Sequence, residues 1–442
     1  MQIGSSYSDI LKVAFPIIVA SLVHTIIGIT DIIFLGNLGD VQLGAASLGM
    51  LFYFVIYMIG VGLGTGYQIS IARRSGEGNH SSIGLIHDSG WLVFALYAIV
   101  GFLILVLSSF YLMPLLIDDE ELSSLSLEYI FHRSWGIFFA TAIIVYRSFY
   151  TGIARTNIIT YASLIMALSN IALNYVLIYG FYGFPAWGVK GAAIASNISE
   201  LLAAAIFFCY TLLRKNNSKY KLFAFSNMKR EINLQLLSLS SPVIIQNVLS
   251  MGSWFIFFLL IEKLGSLELA ISNVVRSIYM IAMVPVWGFA LAANSMVSNL
   301  LGQNLKSQVF ILIRKTAIVS FAITSILILL SLYFDRQLLS IATNSENVVD
   351  GSITILRIVG LASICISVSN VLILSVSGTG ATKMALLIEV ICISIYLGYL
   401  FYCHTTKAGL KAMWYSEIIY WISIGLFSYM YLRSGKWSNK TI

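Results

Sequence analysis

One acid, Asp31, stands near the outer end of the first long apolar run, behind some twenty mostly apolar residues. A carboxylate in hydrocarbon costs several kcal/mol unless it is paired, hydrated or protonated, so an acid at that place marks a site that carries a proton or holds a cation. The polar groups that could join it lie far along the chain. Asn170 and Asn174 are one turn apart on one helical face, in a run from Ile158 to Tyr179 that is otherwise apolar. Ser196 and Asn197 follow Gly191-Ala192-Ala193, small residues that let helices approach closely. His24 lies two helical turns before Asp31 on the same face. The plainer alternative for Asp31 is an acid that simply reaches the outer interface, because Leu35 to Asp40 reads as a loop.

Other candidate chemistry is weak. A membrane-embedded enzyme needs convergent acids, histidines or nucleophiles at one depth, whereas His24, His80, His87, His132 and His404 are scattered over separate segments, so no enzyme is expected. Asp118-Asp119-Glu120-Glu121 reads as a solvated outer loop, and the glycines from Gly60 to Gly66 lack the Lys-Ser/Thr of a phosphate loop and read as close helix packing. Cys209, Cys365, Cys392 and Cys403 lie within or at the ends of apolar runs and read as small packing residues. No cofactor is expected beyond a coupling ion. Glu200, Glu389 and Glu417, with Arg133, Arg147, Arg276 and Arg357, fall in or near apolar runs and are expected to form structural pairs or line an inner cavity, since burial demands pairing.

The elements that must position these groups are membrane helices. Hydrophobic residues make up 59% of the 442-residue chain and charged ones 10%, more apolar surface than a soluble protein can hide. Twelve runs are long enough to span hydrocarbon: roughly 11–35, 43–71, 89–117, 124–150, 158–180, 188–213, 240–262, 269–300, 314–338, 352–378, 383–404 and 409–433. They are too long and uniformly apolar for barrel strands. The chain also repeats itself at an offset of 226 without a gap: Pro16 falls on Pro242, Leu38-Gly39 on Leu264-Gly265, Gly62 on Gly288, Gly76 on Gly302 and Gly152 on Gly378. Internal repeats in a polytopic membrane protein are the mark of a secondary transporter. The same offset carries Asp31 onto Phe257, so any ion coupling is expected in the first half alone.

The expected fold is all-α, twelve transmembrane helices in two pseudosymmetric six-helix lobes, residues 1–213 and 240–442, joined by a cytoplasmic linker over 214–239. With both termini placed in the cytoplasm, 17 Lys and Arg fall on inner segments against 5 on outer loops, in keeping with the positive-inside rule. The net charge of +7 thus reports topology, and no nucleic-acid partner is expected. The first run is too long for a cleaved signal peptide and contains Pro16 and Asp31.

Taken in order, these motifs resemble the multidrug and toxic compound extrusion (MATE) family of the wider multidrug/oligosaccharidyl-lipid/polysaccharide exporter superfamily. The resemblance rests on Pro16 followed by Asp31 and Leu38-Gly39, on Gly62-x-Gly64-x-Gly66 running to Arg74-x-Gly76, and on Tyr150-x-Gly152. It also rests on Asn170-x-x-x-Asn174, on Gly188 to Ser196, and on Pro242 to Leu264-Gly265. It implies a monomeric antiporter in the inner (plasma) membrane, embedded in the lipid bilayer, that exports small organic cations against an inward flow of Na⁺ or H⁺. Asp31 matches the family's coupling acid, and Asn170, Asn174, Ser196 and the carbonyl of Ala192 match positions in its cation or hydrogen-bond network. Na⁺ would sit at Asp31, Asn170, Asn174 and Ser196. His24 and Arg147 match positions lining the substrate cavity. Ser250 stands where some relatives carry a second-lobe glutamate, which argues against a cation site of that kind, and Asn174 stands where some carry an aspartate. The rival within the superfamily is a flippase for lipid-linked oligosaccharides or another large amphiphile.

Overall fold

The computed structural model describes residues 3–225, 229–438 and 440, with backbone alone at 215 and 216. Its helices are α1 Tyr7–Gly36, α2 Asp40–Gly76, α3 His80–Leu107, α4 Met113–Leu116, α5 Glu120–Ser134, α6 Gly136–Gly152, α7 Asn157–Tyr179 and α8 Gly188–Leu213. They continue as α9 Arg230–Glu262, α10 Ser266–Gly302, α11 Lys306–Tyr333, α12 Asp335–Ala342, α13 Glu346–Gly378, α14 Thr382–Thr405 and α15 Gly409–Arg433. Among the described residues, ten helical segments are long and apolar enough to cross a membrane. With the broken pair α5–α6 as one crossing, and α15, 25 residues long but diluted by Lys411 and Glu417, as another, the twelve-helix layout stands.

The repeat is visible in the helix ends. Adding 226 to the bounds of α2 and α3 gives those of α10 and α11, and the same shift carries the start of α5 and the end of α6 onto the two ends of α13. Gly39 and Gly265, which precede α2 and α10, have φ of 140° and 152°, a backbone region closed to most L-residues, so a glycine recurs there. One half departs from the other at Trp135, where a turn splits α5 from α6 while α13 runs on unbroken. The fourth apolar run is therefore two helices in place of one. Gly136 opens the second of them, where a Cβ would lie 2.9 Å from Glu200 Oε2, so a side chain here would collide with a buried ion pair.

By internal packing the chain divides into two compact units: Val19–Ile244, here the N unit, and Met1–Ile18 with Ile245–Ile442, the C unit. Within the N unit, Gly62 of α2 lies against Ile244 of α9, and a Cβ on it would meet the Ile244 Cα at 2.9 Å. Within the C unit, the repeat-equivalent Gly288 of α10 lies against Ile18 of α1, with a Cβ-to-Cα distance of 3.3 Å. The first turns of α1 and α9 are thus counted with the half of the chain to which they do not belong in sequence. The glycines between Gly60 and Gly66 do pack closely: Gly64 meets Ser148 and Ile144, and Gly66 meets Ser240.

Ten residues assigned to the linker in sequence, 230–239, are the start of α9, because Leu236 and Leu239 bury an apolar face there. Residues 226–228 of that expected linker lie outside the described residues. The preceding segment is tied down: Asp88 of α3 accepts the backbone N–H groups of Phe223 at 2.8 Å and Phe225 at 2.9 Å. Asp119, from the acidic run, caps α5 by accepting the Leu122 N–H at 2.8 Å, while Glu120 and Glu121 are exposed.

Candidate functional site

The N unit assembles its polar site from three helices. Asp31 comes from the last turns of α1 and is 7% exposed. From α7, Asn174 donates Nδ2–H to Asp31 Oδ1 at 2.5 Å, and the same nitrogen lies 3.2 Å from Asn170 Oδ1. Asn170 in turn donates to Ser196 Oγ of α8 at 3.3 Å. The chain Asp31, Asn174, Asn170, Ser196 is continuous, and both asparagines are fully buried. The i, i+4 spacing on α7 is what lets one helix reach α1 with one amide and α8 with the other.

Asp31 forms no ion pair among the described residues. Asn174 Oδ1 is buried without a hydrogen-bond partner. The site therefore holds an acid and a bare amide oxygen in one place, which is the chemistry of an oxygen-ligated cation site and equally of a proton acceptor. A half-turn of the Asn174 amide would present Oδ1 to Asp31, an arrangement favourable only when Asp31 carries a proton to donate. Ala192 lies one turn before Ser196 on α8, buried in the apolar core that also contains Leu35, Tyr53 and Tyr129.

One turn beyond Ser196 the same face of α8 presents Glu200 to Arg133 of α5. The guanidinium grips both carboxylate oxygens, Nη1 to Oε2 at 2.9 Å and Nη2 to Oε1 at 2.5 Å, donates to Asn197 Oδ1 at 2.8 Å, and lies 3.8 Å above the Tyr53 ring. Arg133 and Glu200 are the charges that bear on Asp31 through space. The pair is the one the sequence led us to expect in outline. The spacing of Ser196 and Glu200 is the signal that could have tied it to the Asp31 network.

His24 and Arg147 also come together: Arg147 of α6 donates to Ser21 Oγ of α1 at 3.2 Å, and its charge faces His24 one turn on. The expectation of pairing fails for two acids. Glu389 and Glu417 of the C unit have no cationic partner among the described residues: Arg276 lies over the Phe258 ring at 4.9 Å and Arg357 lies 3.9 Å from Asp335. Their partners are neutral donors contributed by α9, α14 and α15. No local pattern signals this, since those partners are scattered from Gln246 to Tyr420.

An internally duplicated all-helical membrane protein with an unpaired acid buried among amides has the build of a secondary transporter. The MatE family profile matches residues 16–176 and again 242–401, once in each half. The chain belongs to the MatE family of membrane transporters. Among curated relatives, the probable multidrug resistance protein NorM of Rhizobium meliloti is 28% identical over 64% of this chain and 61% of its own length. This chain thus spans under two thirds of that relative, but 94% of the NorM of Thermotoga maritima, at 21% identity over 98% of this chain. Among solved structures, a mutant of the Vibrio cholerae MATE transporter VcmN superposes with a TM-score of 0.90 at 18% identity, covering 98% of both chains. A MOP superfamily transporter from Pyrococcus furiosus superposes at 0.89 with 20% identity, over 98% of this chain and 96% of its own. Both share this fold.

Proposed function

We propose that the protein is a cation-coupled antiporter that exports small organic cations across the inner membrane by alternating access, with Asp31 as its coupling group. The observation that carries this reading is the buried Asp31 carboxylate held by Asn174 and free of any ion pair among the described residues. An acid so placed is stable only when it is neutralised, and a proton, Na⁺ or an organic cation can each do that. Mutual exclusion follows: loading Asp31 with the coupling ion removes the charge that favours the organic cation, and by linkage each weakens the other's binding by the same factor.

The names of the curated relatives, multidrug resistance proteins, support a polyspecific export role. In this reading Asn170, Asn174, Ser196 and the Ala192 carbonyl complete the coupling site, either as Na⁺ ligands or as the hydrogen-bond frame of a protonated Asp31. His24 and Arg147 line the path of the substrate. Both termini lie in the cytoplasm, and a single copy carries every group the mechanism invokes.

The test is efflux of a fluorescent lipophilic cation from proteoliposomes under separately imposed Na⁺ and proton gradients, for wild type and Asp31→Asn. Efflux that follows one gradient and is lost in Asp31→Asn supports the reading and names the ion. Gradient-driven efflux at wild-type rates in Asp31→Asn overturns it, and no efflux by wild type under either gradient transfers the assignment to an amphiphile flippase.

A further inference from the structure

The C unit contains two carboxyl groups that the coupling scheme above does not use. Glu389 of α14 is 2% exposed and Glu417 of α15 is 5% exposed. Around Glu389, Ser250 Oγ lies 2.5 Å from Oε1, Gln246 Nε2 lies 3.3 Å from Oε2, and the Tyr420 hydroxyl donates to Oε1. Around Glu417, Trp254 Nε1 donates to Oε1 at 3.2 Å and the Tyr396 hydroxyl donates to the same oxygen at 3.1 Å. The Tyr396 and Tyr420 rings are 5.3 Å apart, so the two sites adjoin through a tyrosine pair.

The repeat gives these positions a meaning. Asp31 corresponds to Phe257 and Asn170 to Tyr396 at the offset of 226. The loop before the last helix is five residues shorter in the second half, so Gly188 corresponds to Gly409, both with positive φ, and Ser196 corresponds to Glu417. Asn170 and Ser196 are hydrogen-bonded in the N unit, and Tyr396 and Glu417 are hydrogen-bonded in the C unit. Phe257 packs on Tyr396 with centroids 6.4 Å apart. The C unit thus has an acid at the same polar junction, supplied by the last helix of the repeat in place of the first.

The hydrogen-bond inventory at Glu389 favours a proton there. Ser250 Oγ lies within reach of two acceptors, the Gln246 carbonyl at 2.9 Å and Glu389 Oε1 at 2.5 Å, yet a hydroxyl has one proton to give. One proton serves both contacts only as a shared, weaker bond, whereas a proton on the carboxyl group, donated to Ser250 Oγ, satisfies both in full. No cation offsets either acid among the described residues. The titratable groups facing them are Cys392 and Tyr396 of α14, Tyr420 of α15 and Tyr279 of α10, a thiol and phenols that cannot carry positive charge. From α9 come Gln246, Ser250 and Trp254, and α13 presents no charged group to either acid among the described residues. Among the described residues no third acid, histidine or cysteine joins them in a set that could hold a metal.

We propose that Glu389 and Glu417 form a second proton-carrying site, in the C unit, loaded and unloaded in the transport cycle. Each carboxylate takes a proton from a hydronium ion on one side of the membrane, one O–H bond breaking there as one forms on the carboxyl group, and the reverse exchange returns the proton to water on the other side. Counted from the loop between α14 and α15, Glu389 lies about 24 Å along its helix and Glu417 about 12 Å along its own. The pair therefore spans roughly 12 Å of depth, with Tyr396 and Tyr420 bridging the interval. The direction of flow rests on the antiport reading above; the existence of the site does not.

Infrared pH titration of the full chain in liposomes tests this without transport. The expected result is a carboxylic-acid carbonyl band that titrates in wild type, persists in Asp31→Asn, and loses a component in each of Glu389→Gln and Glu417→Gln. Tyr420→Phe, which leaves both acids in place, should shift the Glu389 component. An unchanged band in both Glu→Gln variants overturns the proposal, as does a band that never titrates while the protein stays folded. Loss of the band on adding Na⁺ at constant pH makes this a metal-cation site and overturns it as well. In proteoliposomes moving ethidium under a pH gradient, the double variant should carry fewer protons per ethidium; if wild type moves no ethidium, the antiport reading falls and the infrared result still decides the site.

Discussion

Removing either member of the Arg133–Glu200 pair should destabilise the protein by about 3 kcal/mol, and removing both by much less. The side chains are 10% and 15% exposed and meet in a bidentate grip, so the loss of Glu200 leaves a guanidinium in a low-dielectric site. Breaking a buried pair from one side typically costs about 3–5 kcal/mol. The lower end applies, because Arg133 keeps its bond to Asn197 at 2.8 Å and its seat over Tyr53 at 3.8 Å. Glu200→Leu alone, Arg133→Met alone and the two together form a double-mutant cycle. Chemical unfolding in mixed micelles, followed by tryptophan fluorescence, should give a loss of about 3 kcal/mol in each single variant and a double variant near wild type, hence a coupling of about 6 kcal/mol. Single variants below about 1 kcal/mol whose effects add within about 0.5 kcal/mol would refute the reasoning, because the pair would then behave as a solvated one.

Gly62→Ala should cost more stability than Gly288→Ala, since the added Cβ meets a backbone Cα at 2.9 Å in the first and 3.3 Å in the second; overpacking of this kind costs about 1–3 kcal/mol, read as a lower melting temperature in detergent. Asp88→Ala removes the acceptor of two backbone N–H groups, and a loss of about 2 kcal/mol should raise the rate of tryptic cleavage at Lys221 roughly thirtyfold, while a wild-type cleavage rate would show that the segment is held otherwise. Asn174→Asp places a second carboxylate on Asp31's hydrogen-bond partner; two acids that share a site hold a proton between them, so efflux should depend more steeply on external pH than in wild type.

Much of this protein is legible in the chain itself. Apolar runs of membrane-spanning length need no long-range information, because every backbone group in hydrocarbon must be bonded within its own helix. The repeat carries both ends of α2 and α3 onto those of α10 and α11, and glycines that turn or pack closely recur at matching places in the two halves. Asp31 was visible because an acid among apolar residues is a local anomaly, and the i, i+4 spacing of Asn170 and Asn174 is local too.

Tertiary structure decided the rest. That Arg133 reaches Glu200 while Arg276 turns to a ring depends on which helices pack side by side. The grouping of the first turns of α1 with the C unit, and of α9 with the N unit, depends on contacts between residues far apart in the chain, such as Ile18 with Gly288 and Gly62 with Ile244, that no local pattern encodes. The surroundings of Glu389 and Glu417 were hidden for the same reason: Gln246, Ser250 and Trp254 meet the acids of α14 and α15 through folding alone. A sequence states which polar groups must be buried; only the packing of helices decides which of them face one another, because in hydrocarbon each must find its partner on a neighbouring helix.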